Sequence, residues 1–252
     1  LIIDNKSEFP TIKEEKESAC LKCLHCFAIC PTGAITIWGK NPENSLLVSE
    51  SIPAPAEMEQ LVKTRRSIRK FKKQELDPKL IHALIETASY APTAKNDNSV
   101  LFTVIDKKAE MDKLRVLVYT HLKTAFENQQ VPESLLYFND FQELWFNKQI
   151  DVLFRGAPYM LITSAPKTNT APQVDSLIAM SYFELIANSN GIGTLWDGFA
   201  KFAFEKIAPE IKQIIGLPED HIIGAVLVFG IPAVTYARAI QNTTINIKSV
   251  TM

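Results

Sequence analysis

All four cysteines of the chain fall in one short run, Cys20-Leu-Lys-Cys23-Leu-His-Cys26-Phe-Ala-Ile-Cys30-Pro31. A thiolate is a soft anionic ligand. Steps of two, two and three residues let successive sulfurs wrap one centre while backbone N–H groups turn toward it. The spacing C-x2-C-x2-C-x3-C followed by proline is that of an iron–sulfur run, so the expectation is a 4Fe-4S cluster held by Cys20, Cys23, Cys26 and Cys30. The alternative is zinc, but four-cysteine zinc sites usually join two C-x2-C knuckles across a longer loop, which this run lacks. His25, between ligands, reads as a surface residue. A disulfide framework would spread its cysteines through the fold; this crowding argues against one and for a reducing compartment, the cytoplasm.

A second run carries charge. Lys63-Thr-Arg65-Arg66-Ser67-Ile-Arg69-Lys70-Phe-Lys72-Lys73 places seven cations in eleven residues. Guanidinium groups offer paired donors and Ser67 adds a hydroxyl, a set that suits one phosphate dianion. The same run also reads as a solvated basic strip or a nucleic-acid surface. Lys+Arg is 27 against Asp+Glu 28, net −1, which does not call for nucleic acid or an anionic membrane as a partner. Scattered His25, His82, His121 and His221 offer no hydrolase triad or metal-hydrolase pattern.

These residues need elements to hold them. Residues 1–40 form a Cys-rich module, and 41–55, with three prolines, read as a linker. Residues 56–252 mix helices and strands. Asp77-Pro78 is an N-cap with proline at the first helical position, opening a helix that runs toward Pro92. Strands are expected at 100–105, 159–163 and 222–230, and helices at 107–127, 138–154, 173–189 and near 201–215. The helix 173–189 is apolar around nearly its whole circumference, so it is buried in the domain or against a partner subunit, with Gly191 as its C′ residue. The longest apolar stretch, 222–231, is about half a membrane span and reads as a buried strand. The class is α+β.

Four segments in order resemble the nitroreductase family of FMN enzymes. Arg65-Arg66-Ser67-Ile68-Arg69-Lys70-Phe71 resembles its opening R-R-S-x-R-x-F motif, and Ala91-Pro92-Thr93-Ala94-Lys95-Asn96-Asp97-Asn98 its A-P-S-x-x-N-x-Q loop. Gly191-Ile192-Gly193-Thr194-Leu195-Trp196-Asp197-Gly198 resembles its G-L-G-T-x-W-x-G segment, and Phe229-Gly230-Ile231-Pro232 with Arg238 its closing strand. The resemblance implies a mixed sheet flanked by helices, and a homodimer with flavin sites at the interface. It implies that Arg65, Ser67 and Arg238 hold the FMN phosphate, that Arg66 lies along the flavin, and that Arg69 meets the pyrimidine edge. Pro92, Thr93, Ala94 and Asn96 would reach the flavin from the other subunit, and Gly193, Thr194 and Leu195 would present backbone groups. Asn98-Ser99-Val100 departs from the family's Gln-Pro-Trp, shortening the amide at 98. The N-terminal part resembles a ferredoxin-like extension, and Thr32-Gly33-Ala34-Ile35 leads into a short strand expected there.

The function implied is reduction of a small organic acceptor (a nitro compound, quinone or activated alkene), with NAD(P)H or a ferredoxin-type cluster as donor and ferredoxin as a candidate partner. The alternative is an FMN and iron–sulfur electron-transfer or sensor protein. In two-cluster ferredoxins the fourth cysteine of a run ligates the other cluster, and Leu1-Ile2-Ile3-Asp4 reads like the strand after a first run. A matching run upstream of Leu1, giving two clusters, is therefore expected; one rearranged cluster on all four cysteines is the alternative.

Overall fold

Val-, Ile- and Phe-rich β4 (His221–Gly230) is the strand around which the fold is assembled, with all of its last eight residues buried. A computed structural model describes residues 14–48, 52–241 and 244–252. The described residues fall into two compact units, one within Leu1–Pro55 together with Lys95–Asp97, the other Ala56–Ala94 with Asn98–Met252.

The first unit contains a 3-10 turn at Glu14–Ala19, helix α1 (His25–Ile29) and a second 3-10 turn at Pro42–Asn44, none with a buried residue. The strand expected after Ile35 is absent; Ile37 and Lys40 make only an isolated bridge. A ferredoxin-like module would need paired strands, and none forms among the described residues of this unit. The stretch Leu1-Ile2-Ile3-Asp4 lies outside the described residues.

The larger unit begins with α2 (Pro55–Thr64, its first residue counted with the other unit) and α3 (Pro78–Ala88). Asp77 caps α3 as its sequence predicts, Oδ1 accepting from Lys79 N at 2.9 Å. Then follow β1 (Leu101–Ile105), α4 (Lys108–Glu127), α5 (Phe138–Lys148), β2 (Tyr159–Pro166), α6 (Pro172–Ser189), β3 (Gly193–Trp196) and α7 (Gly198–Phe202). A π turn, Ala203–Ile207, and α8 (Ile211–Ile214) lead to β4. Gly191, at φ +71°, ends α6 as expected, and Ile192 N donates back to Ala187 O at 2.9 Å.

The sheet order is β1-β2-β4-β3, with every neighbouring pair antiparallel. This corrects the expected mixed sheet. The one parallel pairing among the described residues is the bridge Ser67–Thr194, a point contact and not a strand. Period-two alternation sends Met160, Ile162, Val226 and Val228 to a face packed by α4 and the 200–211 segment, while Tyr159, Leu161, Ala225, Leu227 and Phe229 meet α3 and α6 on the other. The α6 helix crosses β4 so closely that a Cβ on Gly224 would stand 2.2 Å from Ser176 Cβ.

Two helices are shorter than the apolar spacing suggests. The one expected over 138–154 stops at Lys148, where Gln149 turns left-handed at φ 55°. The one near 201–215 breaks at Ala208, because proline at 209 disfavours helical geometry in the residue before it. No helix among the described residues is long and apolar enough to cross a membrane.

Candidate functional site

The basic segment leaves α2 at Thr64 and is tied to the sheet at two places. Ile68 N donates to Thr194 O at 2.8 Å beside the Ser67–Thr194 bridge. Further on, Lys72 N donates to Ile231 O at 2.8 Å and Ala233 N to Lys70 O at 2.9 Å. Arg65, Ser67, Gly193, Thr194 and Leu195, singled out separately in the sequence, are thus brought together along β3. Ile68 is buried between them, and Gly193 makes the approach possible: a Cβ there would stand 2.6 Å from Ile68 Cγ1. Gly193→Ala is expected to push the segment off β3, destabilising the protein by about 1–3 kcal/mol and weakening cofactor binding. Urea unfolding and a flavin titration check both effects.

Arg65 Nη1 pairs with Glu184 Oε1 of α6 at 3.0 Å, and the same oxygen accepts from Thr194 Oγ1 at 3.2 Å. Asn188 Nδ2 donates to Thr194 Oγ1 at 3.1 Å and closes the network. The Arg66 guanidinium lies over the Tyr236 ring, 5.8 Å from its centroid, a cation–π placement the sequence did not announce.

Arg69 lines a cavity of about 210 Å³ whose wall also includes Leu153, Arg155, Leu195, Trp196, Asp197, Gly198, Phe199 and Phe202. Arg155 and Asp197 were missed as site residues, although Asp197 sits inside the Gly191–Gly198 motif and precedes a helix start. Arg155 has left-handed backbone, φ 56°, directly before Gly156 at φ 67°. That turn is imposed by Asp151, which accepts from Phe154 N and Gly156 N, both at 2.9 Å. Asp151 is itself gripped by Arg115 Nε at 2.7 Å and Tyr119 Oη at 3.0 Å. Arg115 also donates to Asp112 and to Ala157 O. Burial, with the nearby Asp151 charge, pushes the Tyr119 phenol well above its ordinary value.

Asp197 is 4% exposed. Its Oδ1 accepts from Ala200 N at 2.9 Å, capping α7, while Oδ2 is buried with no hydrogen-bond partner. Burial pushes this carboxyl up to about 7; Asp151 adds to the shift, and Arg155 and the Ala200 N–H oppose it. On the cavity wall, Phe199 packs against Phe141, Phe138 and Tyr137 at centroid distances of 5.1, 5.9 and 6.1 Å. The aromatic 119–150 region therefore reaches the cavity through Phe199.

The remaining expected residues are those of the 92–98 loop and Arg238. Ala94 N donates to Asp175 Oδ1 at 3.1 Å, near the start of α6, and Thr93 Oγ1 accepts from Asn98 N at 3.0 Å. Pro92 is exposed. Lys95, Asn96 and Asn98 are left-handed. Asn96 belongs to the smaller unit, where its amide donates to Leu21 O and Lys22 O at 3.1 and 3.3 Å. Arg238 is exposed in the segment after β4.

The expected cluster is not shown. Among the described residues, which include all four, no group of three or more His, Cys, Asp or Glu is placed to hold a metal. Cys20 and Cys23 are exposed, and Cys26 and Cys30 are half-buried. The chain winds into α1 at His25, which carries Cys26 on its first turn, and Cys30 follows as its C-cap residue. Cys30 Sγ instead meets Thr32 Oγ1 at 3.6 Å and accepts from Ala34 N at 3.3 Å, contacts that hold its thiol below the usual range.

Known proteins share this fold. The chain is 25% identical over 188 residues, 73% of its length and 89% of the relative's, to a Bacillus subtilis (strain 168) protein carrying the provisional name NAD(P)H nitroreductase YfhC. An FMN-bound nitroreductase from Bacteroides fragilis NCTC 9343 superposes with a TM-score of 0.61 at 18% identity, covering 77% of this chain and 99% of that one. An FMN-bound nitroreductase from Desulfitobacterium hafniense DCB-2 gives 0.58 at 23%, covering 76% and 98%. Residues 62–231, the span that holds the basic segment, the β3 edge and the cavity wall, match the model of the nitroreductase family, and the chain belongs to that family.

Proposed function

We propose that the chain binds FMN along the basic segment and β3, with the ring at the Arg69 cavity, and works as an oxidoreductase on a small organic acceptor. The observation that carries this reading is the cavity itself: two arginines, Arg69 and Arg155, two phenylalanines and residues 195–198 around about 210 Å³. Such a wall suits the edge of a flat, acceptor-rich ring. Bound flavin supplies the hydride and single-electron chemistry, and the protein supplies position and charge.

Arg69 holds a fixed positive charge where the reduced ring becomes anionic, which raises its reduction potential. Arg65 and Ser67 offer charged and neutral donors to the phosphate, Arg65 turning from Glu184 to do so. Trp196, Phe199 and Phe202 exclude water from the acceptor and favour aromatic nitro compounds or quinones. NAD(P)H as donor is supported by the name of the Bacillus subtilis relative. No step is drawn through the cysteines.

Two features support assembly as a homodimer. Val174, Leu177 and Tyr182 leave an exposed apolar face on α6. Within one chain, Asp175, which anchors the 93–94 loop, and Glu184, which holds Arg65, are nine residues apart on α6, about 14 Å at 1.5 Å per residue. A loop fixed that far along the helix reaches a flavin more readily from a second subunit.

Arg65→Ala tests the cofactor assignment. It is expected to raise the FMN dissociation constant tenfold or more, the loss of a charge-assisted hydrogen bond of about 1.5–3 kcal/mol, while Glu184→Gln leaves binding equal or tighter by freeing Arg65. Fluorescence titration of both variants decides. Unchanged affinity in Arg65→Ala overturns the phosphate assignment.

A further inference from the structure

Two guanidinium groups line the same cavity. Arg69 comes from the basic segment, which the resemblance already gives to a flavin. Arg155 comes from the loop before β2, outside every motif that carries the resemblance. Among the described residues, the ion pairs made by arginine belong to Arg65 and Arg115, and Arg69 and Arg155 form none. The one acidic side chain on the wall, Asp197, does not neutralise Arg155. It is 4% exposed, its Oδ1 caps α7, and its Oδ2 has no contact with solvent. The cavity therefore presents two positive charges and no exposed carboxylate, a field that favours an anion.

Arg155 is held in place at a cost. Its backbone is left-handed, φ 56°, a region that residues with a side chain adopt rarely. Asp151 enforces that turn by accepting from Phe154 N and Gly156 N, both at 2.9 Å, and Arg115 Nε locks Asp151 at 2.7 Å. Such strain persists only where the surroundings over-determine it. A guanidinium carried on a fixed turn loses less freedom on meeting an anion than one on a free loop. Trp196, Phe199 and Phe202 give the same cavity aromatic surface. A cation among aromatic side chains matches an aromatic anion, ring against rings and carboxylate against guanidinium.

We propose that Arg155 is a specificity-determining residue for the acceptor, pairing with a carboxylate carried on the acceptor's aromatic ring, so that the protein prefers an aromatic carboxylate to its neutral counterpart. This rests on the reading of the cavity as the flavin site, with Arg69 committed to the flavin and Arg155 left for the acceptor.

The test begins with binding, so that it does not depend on turnover. The FMN-loaded full chain, oxidised, is titrated with benzoate and with its neutral isostere benzamide, followed by flavin absorbance. Benzoate is expected to bind about tenfold or more tighter than benzamide, and the advantage is expected to shrink as salt is added. Arg155→Gln is expected to remove most of that difference and Arg155→Lys to keep most of it, both checked for folding by circular dichroism. Reduced protein mixed anaerobically with 4-nitrobenzoate or 4-nitrobenzamide gives the kinetic counterpart. Each nitro group takes two electrons from the flavin and two protons, and one N–O bond breaks to release water and leave the nitroso compound. The ratio of the two flavin reoxidation rate constants is expected to fall in Arg155→Gln together with the binding ratio. Equal binding of benzoate and benzamide to the unsubstituted protein, or a ratio unchanged in Arg155→Gln, overturns the proposal and leaves the flavin reading standing. A loss in Arg155→Gln confined to NADPH relative to NADH would give the charge to the donor's phosphate and overturn it as well. Failure of the unsubstituted chain to bind FMN overturns both.

Discussion

Asp151→Ala is expected to lower stability by about 3–5 kcal/mol, the cost of leaving a buried charge without its partner, and to abolish the Arg69 cavity as a binding site. Asp151 and Arg115 are each 8% exposed at their side chains and 2.7 Å apart. Removing the carboxylate strands the Arg115 guanidinium, whose remaining acceptors are Asp112 and Ala157 O. It also strands Tyr119 Oη and the N–H groups of Phe154 and Gly156. Those two N–H groups hold the turn in which Arg155 is left-handed, a conformation that persists only where its surroundings enforce it. The loop should relax, and Leu153 and Arg155 should leave the cavity wall. Urea unfolding measures the first effect and flavin titration the second. Tyr119→Phe, which removes a neutral hydroxyl that donates to Asp151 and accepts from Leu153 N at 3.0 Å but keeps the ring stacked 4.6 Å from Trp145, should cost less, about 1–3 kcal/mol. Equal losses in the two variants would place the energy in aromatic packing and not in the ion pair.

How much of this was legible in the sequence depends on how local the signal is. The cap at Asp77-Pro78, the end of α6 at Gly191 and the buried strand β4 are fixed by residues close in sequence, and each lies where the sequence predicts. The basic segment and the 193–195 stretch were also legible, because motif order stands in for a long-range contact that spacing alone cannot give. Two things were out of reach. The break after Lys148 is set by Asp151 answering Arg115 from another helix, so no apolar period announces it. Arg155 and Asp197 enter the cavity wall through tertiary packing, and only a turn residue beside one and a helix start beside the other hint at a special position. The cysteine run shows the converse. Its spacing is compatible with a cluster, but spacing alone does not fix where four side chains point, and among the described residues no group of three or more ligand side chains is gathered. The mixed sheet failed for a similar reason: the resemblance gives the strands, and the pairing direction is decided only when α6 returns the chain to the free edge of β4.

Asp197 also makes the stability of the flavin-free protein depend on pH in a direction unusual for a carboxylate. Its ordinary value is 3.8, and burial raises it to about 7 in the folded chain. Below the unfolded value both states are protonated and the carboxyl contributes nothing to the difference. Between the two values the folded state keeps the proton and the unfolded state loses it, so stability falls as pH rises, by about 1.4 kcal/mol per unit. The accumulated loss is about 4 kcal/mol above neutrality. Asp197→Asn removes the titration but keeps an oxygen to cap Ala200. The variant should match the unsubstituted protein near pH 4 and exceed it by about 2–4 kcal/mol near pH 8. Titrating groups common to both proteins cancel in the difference. Chemical denaturation at several pH values, with flavin removed, gives that difference directly. A variant-minus-parent curve flat from pH 4 to pH 8 would mean that Oδ2 finds a compensating partner in the folded chain, and it would remove the reason to expect a neutral acid at the cavity.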